Sequence, residues 1–189
     1  MPTPDRTSLP EIVEAARALL ESGGLSGVTM SAVAAQVGVR APSLYKRVRD
    51  REALILLVAE ATADELTARL EASGRSIADY ARAFRAFAHE RPEGFRLMFA
   101  TSGAAEAMGR AAGPILAAAR ELVGAERALD AARLFTAWAT GFVDMELAGS
   151  FRMGGDVDEA FEYALATIEA GLARQSDARP GQVLPAQGS

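Results

Sequence analysis

Apolar residues recur along most of this chain at steps of three and four, the spacing of helices that each bury one stripe. Strict alternation is absent, β-branched residues are few, and Ala, Leu, Glu and Arg dominate, so the pattern predicts an all-α fold. A first helix is expected over about Leu9 to Ser22, with Ile12, Ala15, Ala16, Leu19 and Leu20 on its buried stripe. Ser8 suits its N-cap, Pro10 its first turn and Glu11 a capping box, while Gly23 and Gly24 end it. A second helix should start at Thr29 and bury Val33, Ala34 and Val37, until Gly38 breaks the pattern. A third follows from about Ala41 to Val48. Asp50 then caps a longer one carrying Leu54, Leu57, Val58, Ala61 and Leu66, which Gly74 closes.

The remaining pattern predicts a second, larger helical domain. Ser76 caps a helix with Tyr80, Phe84 and Phe87 on one stripe, ending before Pro92. A short helix carries Phe95, Leu97, Met98 and Phe99, and Gly113-Pro114 should break or kink the next one. Two long helices are expected at about Glu126 to Ser150 and Asp156 to Gln175. The domain plan is therefore a flexible arm at 1–8, a three-helix head at 9–55, a helical body at 56–175 and a disordered tail at 176–189.

Composition narrows the chemistry. There is no cysteine and one histidine, His89, which leaves little for a soft metal site and nothing for thiol catalysis. A carboxylate metal site in a bundle wants a Glu three residues before a His, but Ala86 stands there. No enzyme, metal or cofactor is expected. No run reaches the length of a membrane span and the first residues carry no apolar signal core, so a cytoplasmic protein without a membrane partner is expected. The net charge is −5, yet it is unevenly spread. Between Arg40 and Arg51 stand five basic residues (Arg40, Lys46, Arg47, Arg49 and Arg51) and one acid, Asp50. From residue 61 onward there are 13 basic and 18 acidic residues, so a short basic segment sits on an acidic body.

That basic segment coincides with the tightest local pattern, Thr29 to Leu54. Two short helices crossing steeply need a small residue where they touch and a turn residue that tolerates positive φ. Ala34 and Gly38 supply these, and Val33, Val37, Leu44 and Val48 supply the seam. The basic cluster then falls on the second helix of the pair and just beyond, where a recognition helix faces DNA. Arg40, Lys46 and Arg47 are the long donors able to reach guanine edges.

Thr29, Ala34, Gly38, Val39, Pro42, Ser43-Leu44-Tyr45 and Asp50-Arg51-Glu52-Ala53-Leu54 make this stretch resemble the tetracycline-repressor (TetR) family of bacterial regulators. The resemblance implies that Tyr45 and Arg51 contact phosphates and that Ala41, Pro42, Ser43 and Lys46 lie along the groove. It also implies that the helix start at Thr29 offers backbone N–H groups to a phosphate. Arg47-Val48 and Ser31 depart from common members, so no operator sequence carries over. Gly141 to Gly149 resembles the penultimate helix of the WHG-type subgroup, with Thr140 where that subgroup has His. The family implies a homodimeric regulator of double-stranded DNA at a palindromic operator, repressing by default and released by a small-molecule effector.

The residues of the second domain suit those roles independently. Tyr80, Phe84, Phe87, Met98, Phe99 and Met108, with Trp138 and Phe142, form a candidate cavity lining for an apolar or aromatic ligand, or else simply fill a core. Phe161, Leu165, Ile168 and Leu172 recur at 4-3-4 spacing, a seam suited to pairing with a second copy, and Met145 is expected to join it. Glu146, on the apolar side beside Phe142, either pairs with an Arg or anchors a ligand. The rival classes are a helical interaction module or small-molecule-binding bundle without DNA binding, and a bundle enzyme. The first leaves the order of Gly38, Tyr45 and Arg51 unexplained.

Overall fold

The computed structural model describes residues 7–177, and those residues are built from α-helices with one short 3₁₀ turn. The arm at 1–6 and the tail at 178–189 lie outside the described residues. No described helix is long and apolar enough to cross a membrane.

Helix α1 spans Leu9–Gly27. Its start follows the expected capping box: the Glu11 N–H donates to Ser8 Oγ at 3.3 Å, and the Ser8 N–H donates to the Glu11 carboxylate at 2.7 Å. This holds the Glu11 carboxyl below its ordinary range. Gly24, at φ 64°, kinks the helix, but one further turn follows, so α1 outlasts the stop expected at Gly23-Gly24. Helix α2 covers Met30–Gln36, α3 covers Ala41–Leu44, and α4 covers Arg51–Ser73. Thr29 and Asp50 cap α2 and α4 through the Ala32 and Ala53 N–H groups. Helix α5 runs Ile77–Glu90 and α6 Pro92–Ala100; after the 3₁₀ turn at Ser102–Ala104 come α7 (Ala105–Val123), α8 (Ala128–Leu147) and α9 (Val157–Asp177). Pro114 does not break α7, although it forfeits the hydrogen bond to the carbonyl one turn back.

The described residues form two compact units. The first holds residues 7–75 and 79–114, the second residues 76–78 and 115–177. The compact unit that contains the head extends past residue 55. The apolar cluster built from Ile12, Ala16, Leu20, Val33, Leu44, Val48, Leu54 and Val58 also takes in Leu97 and Ala104. Three short helices bury too little apolar surface alone, and α4 and α6 complete their core. Polar ties run the same way. The Glu21 carboxylate on α1 accepts the N–H groups of Glu93 and Gly94, at 3.1 and 2.8 Å, at the start of α6. Arg17 on α1 pairs with Glu65 on α4, which also holds Arg69. Burial pulls the Glu65 carboxyl upward, but Arg17, Arg69 and Arg91 outweigh it and leave it below its ordinary range.

In the second unit α8 buries Ala128, Ala131, Ala132, Phe135, Ala139 and Val143. Helix α9 packs on it, with Phe161 against Trp138 and Phe142, and buries Phe161, Leu165 and Leu172, each 4% exposed or less. Asp156 caps α9 through the Asp158 N–H at 2.8 Å.

A helix-turn-helix with an exposed basic face

The turn between α2 and α3 explains the geometry of the pair. The Gly38 N–H donates to the Ala35 carbonyl at 3.2 Å and the Val39 N–H to the Ala34 carbonyl at 2.9 Å. This double closure ends α2 and needs a left-handed residue, which Gly38 supplies at φ 71°. The chain then re-enters helix at Ala41, with Pro42 in the first turn, where a missing N–H costs nothing. Helix α3 is shorter than the expected Ala41 to Val48. The Arg47 N–H reaches the Leu44 carbonyl at 2.8 Å, a three-residue step, so the last turn tightens before Val48.

The α3 segment is divided cleanly by burial. Leu44 and Val48 are 1% and 2% exposed and seat it on α1, α2 and α4. Arg40, Pro42, Ser43, Tyr45, Lys46, Arg47 and Arg49 all stand in solvent, and Ala41 is half-buried. Tyr45 is 54% exposed, so its ring is not part of the core. Thr29 is half-buried and its hydroxyl is engaged by Ala32 and Ser31. Arg49 reaches Asp50 at 2.6 Å, and the Asp50 carboxyl, bonded first by the Ala53 N–H and then by Arg49, lies below its usual range.

Arg51 stands apart from the others. Its Nε donates to the Val28 carbonyl at 2.7 Å and its Nη2 to the Leu25 carbonyl at 2.6 Å. It therefore clamps the end of α1 to the start of α4. The resemblance gave no hint of this role, because both partners lie more than 20 positions back in the chain.

The candidate effector residues fall in both units. Tyr80, Phe84, Phe87 and Met98 are buried in the first, Met108 is half-buried, and Phe99 is 43% exposed. Phe95, which the pattern did not single out as a ligand residue, lies edge-on between Phe84 and Phe99 at 5.2 and 5.1 Å. Phe87 lies under Arg69, 5.6 Å from the guanidinium carbon. In the second unit Trp138 stacks on Phe161 at 5.4 Å, and Phe142 meets Trp138, Phe161 and Phe151 at 4.9 to 6.0 Å. Glu146 is half-buried.

The pairing seam needs correction. Phe161, Leu165 and Leu172 are buried against α8 inside a single chain, and Ile168 is half-buried, so the 4-3-4 spacing records intrachain packing. Periodicity cannot tell the two apart, since either partner demands the same stripe. The large apolar side chains of these helices that do meet solvent are Leu129, Leu134, Met145 and Tyr163, at 50%, 53%, 48% and 76% exposure. Small residues Ala137, Gly141, Ala166 and Ala170 are exposed on the same two helices. Among the described residues no cluster of His, Asp or Glu is arranged to hold a metal ion.

Two short helices joined by a tight glycine turn, seated on a third helix and presenting an exposed basic segment, define a helix-turn-helix DNA-binding regulator. Residues 12–58 match the model of bacterial regulatory proteins of the tetR family, and residues 77–168 that of the tetracycline repressor-like C-terminal domain. The chain belongs to the TetR family of transcriptional regulators. It is 30% identical over 186 residues to the HTH-type transcriptional regulator Rv0681 of Mycobacterium tuberculosis, covering 92% of this chain and 85% of the relative. Among solved structures, a protein from Rhodococcus sp. RHA1 aligns with TM-score 0.77 at 27% identity, over 92% of this chain and all of that one. A TetR variant of Acinetobacter baumannii AYE in complex with minocycline aligns with TM-score 0.67 at 24% identity, over 89% and 97%.

Proposed function

We propose that this regulator is a cytoplasmic repressor that grips a palindromic double-stranded operator as a homodimer and lets go when a small apolar or aromatic effector binds its helical C-terminal part. It acts by binding alone. The observation that carries the DNA half is the division of the α3 segment: Leu44 and Val48 are buried while Tyr45, Arg40, Lys46 and Arg47 project into solvent. In this reading Tyr45 contacts a phosphate, and Ala41, Pro42, Ser43, Lys46 and Arg47 face the groove with Arg40 at its edge. Thr29 sets the start of α2 against the backbone. Arg51 contributes by holding the α1–α2 junction.

The dimer is proposed to form on the exposed faces of α8 and α9, through Leu134, Gly141, Met145 and Tyr163 rather than through the buried stripe. The effector is proposed to enter among the aromatic residues. Tyr80, Phe84, Phe87, Met98, Phe99 and Met108 form one group, and Trp138 and Phe142 the other. Minocycline bound to a relative of the same fold is consistent with a molecule of that character. The test is selection of bound sequences from random DNA. The winning site should be palindromic with half-sites about one helical turn apart, or a multiple of that. Compounds that release it should also move the emission of Trp138, the chain's single tryptophan. Binding that never discriminates among sequences would sink the reading.

A further inference from the structure

A groove in the DNA-binding unit is lined by none of the aromatic residues assigned to the effector. Between α1 and α4 runs a groove of 390 Å³, within the range of ligand pockets and open along one side. Its floor is apolar: Leu9, Pro10 and Val13 come from the first turns of α1, and Leu57 and Ala61 from one face of α4. Its walls are acidic, with Glu14, Glu60 and Asp64 against the single cation Arg17.

The three carboxylates are not equivalent. Glu14 is met by Arg17 at 3.0 Å. Asp64 is met by Arg110 of α7 at 2.6 Å. Arg17 is further held by Glu65. Glu60 feels Arg110 only through space and forms no hydrogen bond or ion pair among the described residues, although it is half-buried and lines the groove midway along α4. A half-buried carboxylate with no hydrogen-bond donor of its own, beside an apolar trough, is complementary to one kind of molecule: an apolar body carrying a single positive charge.

We propose that this groove binds amphipathic monocations, with an ammonium group against Glu60 and an alkyl or aryl body along Leu9, Val13 and Leu57. A neutral apolar compound gains only the floor, and an anion is repelled by all three acids. The site is independent of the aromatic effector reading, and either can fail without the other.

The test uses the full chain with methyl-labelled Leu and Val and two probes of matched shape, 4-phenylbutylammonium and its uncharged alcohol. The ammonium should shift the Leu9, Val13 and Leu57 methyl resonances, bind tighter than the alcohol, and weaken as salt is raised. Glu60→Gln should reduce ammonium affinity about fourfold and leave the alcohol unchanged. Glu14→Gln, whose carboxylate is already paired, should have a smaller effect. Trp138 emission should stay fixed throughout. Equal affinity for the two probes, an unchanged Glu60→Gln variant, or shifts confined to other methyl groups would each overturn the proposal.

Discussion

Replacing Arg51 with Ala removes two charge-assisted hydrogen bonds to main-chain carbonyls, Val28 at 2.7 Å and Leu25 at 2.6 Å. Hydrogen bonds with one charged partner contribute about 1.5–3 kcal/mol each. One of these two is solvent-exposed, which places the pair at the low end, about 2–3 kcal/mol in all. For a chain of this length that corresponds to a melting shift of about 5–10 °C. Arg51→Lys carries one point donor in place of a fork and should recover about half. Because the clamp aligns the α1–α2 junction, DNA affinity should fall for all sequences alike. The assay pairs chemical denaturation with DNA titration at several salt concentrations. A clamp predicts lost stability with an unchanged salt slope at protein concentrations where the variant is folded. A direct phosphate contact predicts wild-type stability and a slope flattened by about one unit. The second outcome would refute the clamp and restore the role that the family resemblance implies.

Gly38→Ala should cost about 1 kcal/mol from the left-handed φ alone, since an added Cβ there meets nothing within 4 Å; a denaturation midpoint equal to wild type would contradict this. Tyr45→Phe should keep the melting temperature and weaken binding to every sequence similarly, measured by fluorescence anisotropy. Leu134→Asp should give a folded monomer in sedimentation, whereas Leu165→Asp should unfold the bundle by burying a charge inside one chain. The depressed Glu65 carboxyl contributes stability that is complete above its ordinary value of about 4.3 and is lost as pH falls through the lower folded value. Glu65→Gln should therefore lower stability at neutral pH and flatten the acid limb of a melting-temperature profile below about pH 4.5.

Local signals were legible in the sequence wherever the partner is near along the chain. Ser8 with Glu11, Thr29 with Ala32 and Asp50 with Ala53 are caps three residues long, and each forms where the pattern placed it. Gly38 was readable because a turn of that geometry needs a residue free to adopt positive φ. The basic segment was readable because its apolar anchors, Leu44 and Val48, are interleaved with it along one short stretch of chain. Three features were not legible. Arg51 and Glu21 act on partners 23 to 73 positions away, and nothing in their neighbourhood marks that. The stripe Phe161, Leu165 and Leu172 was assigned to a second copy because spacing reports that a face is buried without reporting by what. The extent of the compact unit around the head was not legible either, because a motif marks where recognition happens, while a compact unit is set by where apolar area is finally covered.

Glu21 has a consequence for how the molecule can be cut. Helix α6 begins with Arg91, whose side chain does not cap it, and Pro92, which has no N–H. The next two donors are both satisfied by a carboxylate on α1. The start of α6 is thus completed by a residue some 70 positions earlier, while Leu97 of the same helix completes the core beneath α2 and α3. Neither element is whole without the other. A fragment ending at residue 55 would leave Glu21 facing water and the apolar undersides of its helices open. Grafting this DNA-reading head onto another protein would have to carry the chain through Ala104.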